Sequence, residues 1–226
     1  MGRTATGTAD LKNMTYSVKE MFYTIQGEGC NAGRVAVFCR FSGCNLWSGL
    51  EKDRNSAICQ FCDTNFVGTD GVGGGKFHSA VDLANKVAEI WNLGNGGKDG
   101  RFIVCTGGEP LLQLDEQLVT ALHARGFFIA VETNGTKQAP KGIDWITVSP
   151  KSNTEIVLMK GDELKLVYPQ LLAPPEHFVK LDFDHFFLQP MDGFAVAENI
   201  RKVIDYCHAN PQWRVSVQTH KILGIP

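Results

Sequence analysis

The feature that most constrains the fold is a series of short apolar runs in which apolar residues are continuous rather than alternating with polar ones. Strands of a parallel sheet are buried on both faces and have this pattern, whereas strands with one solvent-exposed face alternate. We predict seven such strands, at Val35–Phe41, Phe102–Cys105, Phe127–Val131, Trp145–Val148, Leu164–Val167, His185–Leu188 and Trp213–Val217.

Three segments have apolar residues at the i, i+3/i+4, i+7 spacing of an amphipathic helix, namely His78–Trp91, Leu114–Ala124 and Phe194–Cys207. In the first half of the chain they alternate with strands, which indicates βαβ units. The connections on either side of the Trp145–Val148 strand contain no long helical pattern. Three helices are too few for a complete eight-fold barrel, so we predict an α/β fold: an abbreviated, open TIM-like barrel of about six parallel strands with three full helices.

Length and composition narrow the class of protein. The chain has 226 residues, 43% of them hydrophobic, which suits one domain; we expect it at 14–226, with 1–13 a disordered leader or tag remnant. The net charge of −2, without a dense basic run, argues against a nucleic-acid partner. No apolar run approaches the ~20 residues needed to span a bilayer. Seven cysteines without disulfide-framework spacing favour the reducing cytoplasm.

Hydrogen-bonding residues directly follow five of the predicted strands. Because the carboxyl ends of strands in a parallel barrel share one rim, and that rim carries active sites, we expect these residues to converge. Ordinary turn chemistry explains any one such loop, but it explains all of them on one rim less well. The segments are 106–110, 132–135, 149–151, 189–192 and 218–220.

A three-cysteine motif follows the predicted strand Val35–Phe41, so it should reach the same rim. Cys44 is separated by fourteen residues from the pair Cys59 and Cys62. Thiolates ligate iron–sulfur clusters, and three ligands on a four-iron cluster would leave one iron open. A Cys-x-x-Cys pair alone is equally typical of zinc sites and of thioredoxin-like dithiols. No second pair or His-x3-His follows it, and it does not begin a helix within a βαβ pattern, so both alternatives are poorly supported.

Together these motifs resemble those of the radical S-adenosylmethionine enzymes. That superfamily has Cys-x3-Cys-x2-Cys with an aromatic residue before the last cysteine, here Phe61, and a Gly-Gly-Glu-Pro segment after the next strand, here 107–110. The fourteen-residue first gap departs from this spacing. A gap of this kind is found in one branch of the superfamily, the 7-carboxy-7-deazaguanine synthases of queuosine biosynthesis. The chain resembles that branch from Met14 to Pro226. It includes the segments 23–29, 62–64, 149–151, 189–192 and 218–221.

The resemblance implies a [4Fe-4S] cluster held by Cys44, Cys59 and Cys62, with S-adenosylmethionine on the fourth iron. One-electron cleavage of the sulfonium would then give a 5′-deoxyadenosyl radical. Glu109 would accept from the methionyl ammonium, and the alternative is a buried structural pair of Glu109 with a Lys or Arg. The residues implied in the S-adenosylmethionine site are Phe61, Gly107, Gly108, Glu109, Thr133, Asn134, Ser149, Lys151 and Gln189.

The implied reaction is the ring contraction of 6-carboxy-5,6,7,8-tetrahydropterin to 7-carboxy-7-deazaguanine with loss of ammonia, by a carbon–nitrogen lyase. Arg40 would pair with the substrate carboxylate, and the Thr64 hydroxyl would ligate Mg2+, unless Thr64 merely caps its turn. We expect two protein partners, namely a flavodoxin-like or ferredoxin-like reductant and a second copy of the chain. We expect no membrane partner. The residues implied in substrate binding are Gln26, Glu28, Arg40, Thr106, His220 and Pro226.

Two alternatives remain open at the level of sequence. A glycyl-radical activase would keep the cluster and cofactor but act on a protein backbone, whereas the 26–29 and 218–220 segments favour a small molecule. A non-enzymatic zinc protein would use the cysteines differently. The other four cysteines, Cys30, Cys39, Cys105 and Cys207, are expected to be small buried apolar residues.

Overall fold

The computed structural model describes residues 15–97 and 99–226, so the leader expected at 1–13 lies outside the described residues. Nine strands form one sheet in the order β3-β1-β2-β4-β5-β6-β7-β8-β9. The strands are β1 Tyr16–Ile25, β2 Val35–Phe41, β3 Gly75–Phe77, β4 Phe102–Gly107, β5 Phe128–Thr133, β6 Trp145–Val148, β7 Lys160–Tyr168, β8 Asp182–Pro190 and β9 Trp213–Val215. The helices are α1 Ala80–Leu93, α2 Glu116–His123, α3 Val196–Ala209 and α4 Thr219–Leu223.

The sheet is rich in parallel pairs. Strands β2 and β4–β9 pair in parallel, which makes seven parallel strands rather than about six. Strands β1 and β3 were not predicted, and both are antiparallel to their neighbours. A β-bulge between Val18 and Glu20 interrupts the residue alternation of β1. Polar Lys19 and Thr24 are buried in the same strand, so neither a continuous nor an alternating apolar pattern marks it.

Antiparallel β1 has a consequence for the residues that follow it. Ile25 pairs with Val35, at the beginning of β2, so β1 ends at the amino-terminal side of the parallel strands. Residues 26–29 therefore leave the sheet at the side opposite the cysteine loop, which follows the end of β2.

All seven predicted strands are present. Two of them begin and end at the predicted residues, and the bounds of the others are shifted. Val35–Phe41 and Trp145–Val148 are as predicted. Strands β7 and β8 are longer than their apolar centres because they also contain charged residues such as Glu163 and Asp182. Strand β9 ends at Val215, two residues before the predicted end.

Capping residues explain where the predicted helices begin. Ser79 accepts a hydrogen bond from the amide of Asp82, so α1 begins at Ala80 rather than His78. Asp115 accepts from the amide of Leu118 in the same way, so α2 begins at Glu116 rather than Leu114. Helix α3 begins at Val196, two residues after the predicted start. No long helix lies between β5 and β7, which confirms that prediction for this described part of the chain.

Two apolar clusters lie along the single sheet. One joins β1, β2, β4 and β5 to helices α1 and α2, and includes Trp91, Phe102 and Phe127. The other joins β6–β9 to α3, and includes Leu164, Val203 and Trp213. Packing of the helices against the sheet in these two clusters stabilises the strands. The loops at the carboxyl ends of the parallel strands are then available to form a site. None of the helices in the described segments is long and apolar enough to cross a membrane.

Candidate active site

A cavity of about 400 Å3 lies at the carboxyl-terminal side of the parallel strands. Most of the residues predicted from the sequence line it, whereas Gly107, Glu109 and Pro226 are not among the lining residues. The predicted residues that line it are Gln26, Glu28, Arg40, Cys44, Cys59, Phe61, Cys62, Thr64, Thr106, Gly108, Thr133, Asn134, Ser149, Lys151, Gln189 and His220.

The insert between Cys44 and Cys59 folds back on itself and returns the chain to its starting point. It contains a 3-10 helix at Glu51–Ser56. The amides of Ile58 and Cys59 both donate to the carbonyl of Leu46, at 3.1 and 3.3 Å. A gap of fourteen residues therefore brings the Cys59 pair beside Cys44, as a much shorter gap would.

Arg54, within the insert, supports the second half of the cysteine motif. Its guanidinium donates to the carbonyl of Gln60 at 2.9 Å and to that of Cys62 at 3.1 Å. The same group lies 4.1 Å from the ring centre of Trp47, a cation–π contact. Trp47 packs edge-on against Phe66, and both residues line the cavity. The insert thus holds the backbone of the Cys-x-x-Cys pair through Arg54.

The three motif cysteines line the cavity as free thiols. Burial raises the pKa of Cys44 and of Cys59, and the nearby Lys151 ammonium opposes that rise for Cys59. The described residues contain no group of three or more His, Cys, Asp or Glu side chains arranged around a single ion. A four-iron cluster is held by thiolates, and three cysteines that line one cavity could each supply one of them.

The two glycines of the Gly-Gly-Glu-Pro segment seat it against the cysteine loop. Gly107 has a φ of +132°, and a Cβ there would collide with the backbone of Phe41. A Cβ on Gly108 would collide with the carbonyl of Gly43. The amide of Glu109 also donates to that carbonyl, at 2.9 Å. The glycines therefore permit close packing of two loops, a role that the sequence did not indicate.

Glu109 is fully buried behind the cavity wall. Its carboxylate accepts from the Thr133 hydroxyl at 2.7 Å, from the Asn134 amide at 2.8 Å and from the Leu111 amide at 3.0 Å. These partners differ from the Lys or Arg pair considered as the structural alternative. Burial raises the pKa of Glu109, and these hydrogen bonds oppose the rise. A carboxylate has about four acceptor sites, so one remains for a further donor.

Lys151 and Ser149 form a polar corner beside the cysteine pair. The Lys151 ammonium donates to the carbonyl and the hydroxyl of Ser149, both at 2.7 Å. It lies 6.0 Å from the ring centre of Phe61. Burial lowers the pKa of Lys151, and the neighbouring Cys59 and Cys62 oppose that effect. The corner offers a cation and a hydroxyl to an anionic ligand next to the cluster residues.

A buried ion cluster, which the sequence analysis missed, lies at the opposite wall. Lys165 donates to Glu28 at 2.6 Å and to Glu132 at 2.9 Å. Gln26 donates to Glu132 at 2.8 Å. Glu28 also accepts from Gln189 at 3.1 Å, which joins two predicted site residues. The available signal was a lysine inside an apolar strand, because a buried charge needs partners.

Arg40 lies at the end of β2, next to Thr106 of β4 in the strand register. Its Nε donates to Glu20 at 2.8 Å, an acidic partner that was not predicted. That contact leaves Nη1 and Nη2 outside the pair. Both residues line the cavity, so the terminal nitrogens of Arg40 remain suited to a carboxylate ligand.

Residues 26–29 reach the cavity by crossing to the far edge of the sheet. The amide of Gly29 donates to the hydroxyl of Ser216 at 3.0 Å, and the amide of Thr219 donates to the carbonyl of Gly27 at 3.0 Å. His220 packs against Gly27 and lines the cavity. Segments from both sides of the sheet thus share one wall.

The terminal residue and Thr64 occupy different positions relative to the cavity. The Pro226 carbonyl accepts from the Thr24 hydroxyl at 2.8 Å, and neither residue is among those lining the cavity. Thr64 lines the cavity directly after the cysteine pair. Its carbonyl accepts a weak hydrogen bond from the Cys62 thiol at 3.9 Å.

The remaining cysteines divide into two groups. Cys39 and Cys105 are buried in the core, as expected. Cys30 and Cys207 are half-buried, so the expectation of full burial is wrong for them. Cys30 lies in the loop after β1 and donates its amide to Glu163 at 2.9 Å, whereas Cys207 lies on α3.

A parallel-rich α/β sheet that brings three cysteines and a Gly-Gly-Glu-Pro turn to one cavity defines a radical S-adenosylmethionine enzyme. A protein of Bradyrhizobium diazoefficiens named 7-carboxy-7-deazaguanine synthase is 64% identical over 212 residues, covering 94% of this chain and 100% of the relative. The chain belongs to the 7-carboxy-7-deazaguanine synthase family.

Further relatives bear the same name. That of Caulobacter vibrioides is 62% identical over 213 residues and that of Bacteroides thetaiotaomicron 35% over 215, each covering 94% of this chain and 100% of the relative. A crystal structure of QueE from Escherichia coli matches with a TM-score of 0.67 and 28% identity, over 90% of this chain and 94% of that one. No family model matches the chain.

The residues present fit the cofactors of this class. Three thiols line the cavity, and a polar corner with the half-buried Lys151 lies beside them. Cys44, Cys59 and Cys62 would hold the cluster. Behind them, Glu109 keeps one acceptor site and fixes the loop that carries Thr133 and Asn134, both of which line the cavity.

Proposed function

We propose that the chain converts 6-carboxy-5,6,7,8-tetrahydropterin to 7-carboxy-7-deazaguanine with loss of ammonia, in queuosine biosynthesis. The observation that carries the proposal is that the three motif thiols and five of the six predicted substrate residues line the same cavity. Family membership supports the same reaction. When bound, the cluster and S-adenosylmethionine supply the hydrogen-abstracting radical.

The proposed architecture is an abbreviated, open barrel forming a single radical S-adenosylmethionine domain over 14–226. Contacts of Gly27 and Gly29 with Thr219 and Ser216 support it, because they join residues from near both edges of the sheet. Such contacts are expected of a sheet that curves around the cavity. The continuity of the nine strands supports one domain rather than two.

The residues have distinct roles in this proposal. Lys151 and Ser149 bind the carboxylate and ribose of S-adenosylmethionine, Phe61 and Gln189 orient its nucleoside, and Glu109 accepts from its ammonium. Gln26, Glu28, Thr106 and His220 contact the pterin ring. The Arg40 guanidinium binds its carboxylate, because two parallel hydrogen bonds fix orientation as well as charge.

Mg2+ is a further part of the proposal. Thr64 lines the cavity beside the cysteine pair, where its hydroxyl can reach substrate oxygens. Mg2+ retains several waters and is often held by few protein ligands plus substrate. Thr64→Val keeps the side-chain shape and removes the oxygen, so turnover by this variant should no longer respond to added Mg2+ as the parent does.

The proposed setting is a reducing one. All seven described cysteines are free thiols, which supports a cytoplasmic enzyme. A flavodoxin-like or ferredoxin-like protein would supply the electron, and a second copy of the chain would complete a homodimer. The rate at which such a protein reduces the enzyme would test the first interaction. Sedimentation of the enzyme would test whether it is a dimer.

The test is anaerobic reconstitution with iron and sulfide, followed by incubation with the carboxypterin, S-adenosylmethionine, reductant and Mg2+. We expect 7-carboxy-7-deazaguanine in molar excess over consumed S-adenosylmethionine, because the cofactor acts catalytically. In a parallel reaction, a peptide from a glycyl-radical enzyme replaces the pterin, which tests the alternative activity on a protein backbone. Absence of the deazaguanine from a cluster-loaded parent enzyme refutes the proposed function.

A further inference from the structure

Lys165 is the buried cation of the far cavity wall, and the proposed reaction does not yet use it. Its ammonium lies 2.6 Å from Glu28 and 2.9 Å from Glu132. Lys165 belongs to β7, Glu132 to β5, and Glu28 to the segment after β1. Three separate parts of the chain therefore meet at one ammonium group.

Of these three side chains, the lysine is the most deeply buried, and the two carboxylates are more exposed. The Lys165 side chain is 3% exposed, whereas those of Glu28 and Glu132 are 14% and 21% exposed. All three line the cavity. A purely structural ion pair has no need to direct its acceptor oxygens toward open space, so this order points to a ligand.

The carboxylates retain acceptor capacity. Within the described residues, Glu132 accepts two hydrogen bonds, from Gln26 and Lys165. Glu28 accepts three, from Lys165, Gln189 and Gln218. A carboxylate has about four acceptor sites, so Glu132 retains two and Glu28 one.

The charge of the cluster is not balanced. One ammonium faces two carboxylates, which leaves one negative charge at the cavity wall. Glu163 also lies near; burial raises its pKa, and the Lys165 ammonium opposes that rise. A ligand that offers several N–H donors complements such a wall, whereas an anionic group is repelled from it.

We infer that Lys165 is a positioning residue that holds Glu28 and Glu132 as a pair of acceptors for the amino-pyrimidinone edge of the pterin. That edge carries adjacent N–H donors from the ring and the 2-amino group. The pterin carboxylate then points to the Arg40 side of the cavity. This inference rests on the proposed function and adds Lys165 and Glu132 to the residues that determine specificity.

The titration of Glu28 gives the inference a measurable signature. Burial alone would raise the pKa of Glu28, but Lys165, with Gln218 and His220, lowers it to about 2. Glu28 is therefore ionised throughout the range of an ordinary assay. The titratable groups around it are Lys165, Glu132, Glu163, His220 and Asp63.

The first test replaces the cation. Lys165→Met should raise KM for the carboxypterin by about 10- to 100-fold with a smaller change in kcat. Without the ammonium the pKa of Glu28 rises, so kcat/KM should fall on the acid side from above pH ~5, where the parent is flat. Lys165→Arg retains a cation, so the fall in kcat/KM on the acid side should be absent from this variant. Lys160→Met, at the exposed start of the same strand, is the matched control.

The second test does not depend on the stability of the Lys165 variants. Glu132→Gln can donate as well as accept, so it should tolerate a substrate analogue with a carbonyl in place of the 2-amino group. We expect the parent's preference for the amino compound to fall about 10-fold or more. Glu155→Gln, an exposed position, should keep the parental preference.

The outcomes separate the inference from the proposed function. A parent enzyme that makes no deazaguanine refutes the proposed function. If the parent is active, an unchanged preference in Glu132→Gln overturns the inference. A folded Lys165→Met variant with parental KM and a parental pH profile overturns it as well.

Discussion

Each of the three motif cysteines depends on a different neighbour. Cys44 accepts from the amide of Leu46 at 3.4 Å, Cys59 lies near Lys151, and the carbonyl of Cys62 is held by Arg54. Burial raises the pKa of Cys44 and of Cys59, and the Leu46 amide and the Lys151 ammonium oppose that rise. Residues from separate loops therefore support the three cysteines.

Single substitutions of these cysteines test the cluster site. Cys44→Ala, Cys59→Ala or Cys62→Ala should each prevent a stable cluster of about four irons, because one corner loses its protein ligand. Iron and sulfide analysis after anaerobic reconstitution measures the effect. Cys207→Ala, on α3, is the control and should retain the parental iron content. A full cluster in Cys44→Ala would transfer the ligand role to another cysteine.

Arg40 is the residue on which substrate orientation depends. Arg40→Ala should lose ~3–5 kcal/mol of transition-state stabilisation, because the substrate carboxylate stays in a partly desolvated site without its partner. Arg40→Lys should recover only part, since a point charge lacks the guanidinium fork. The measurement is kcat/KM for the carboxypterin and for an analogue without the carboxylate. Equal losses on both compounds would assign Arg40 to structure rather than recognition.

At the scale of elements, strands with continuous apolar sequence were predictable because burial on both faces determines them. Strand β6 has its predicted bounds. Strand β1 was not predictable, since a bulge and buried Lys19 remove the pattern. The Lys165 cluster could not be derived either. Its partners at 28 and 132 become neighbours only through strand order and direction.

The insert between the cysteines is an element with a testable role. Arg54→Ala should leave the Cys59–Cys62 backbone less restrained, because two carbonyl contacts and the Trp47 stacking are lost. We expect the reconstituted cluster to be lost faster in the presence of a chelator, as followed by its visible absorbance. Lys52→Ala, exposed in the same 3-10 helix, provides the comparison. Equal rates for the two variants would mean that the insert does not stabilise the cluster site.

At the scale of the whole molecule, distant parts of the sequence close the cavity together. Thr219 contacts Gly27 across 192 positions of sequence. Lys221 joins the same segment to Asp63 at 2.7 Å and to Asp192 at 2.6 Å. The cysteine loop, the loop after β8 and the segment after β9 are therefore linked through one ammonium group.

The Lys221 contacts predict a pH-dependent contribution to stability. Lys221 lowers the pKa of Asp63 and of Asp192, and these carboxylates raise that of Lys221. The contribution is therefore present above the ordinary Asp value of 3.8 and below the ordinary Lys value of 10.5, and is lost outside that window. Because the groups are partly exposed, Lys221→Ala should cost only ~0.5–1 kcal/mol at neutral pH.

Urea unfolding of the parent and Lys221→Ala at pH 7 and pH 3 measures this contribution. The two proteins should differ most at pH 7, and the difference should shrink at pH 3, because the contribution is lost as the pH falls below 3.8 through the lowered pKa values of the folded aspartates. High salt should reduce the difference at pH 7 as well, because exposed ion pairs are screened. A difference that is equal at both pH values would attribute the effect to packing of the lysine stem.

The wall formed by residues 216–221 also sets the order in which the site is completed during translation. Cys44, Cys59 and Cys62 leave the ribosome with the first third of the chain, whereas Thr219 follows every strand of the sheet. Closing contacts across so much sequence is entropically costly and late. Until they form, the thiols face an opening on one side of the nascent protein.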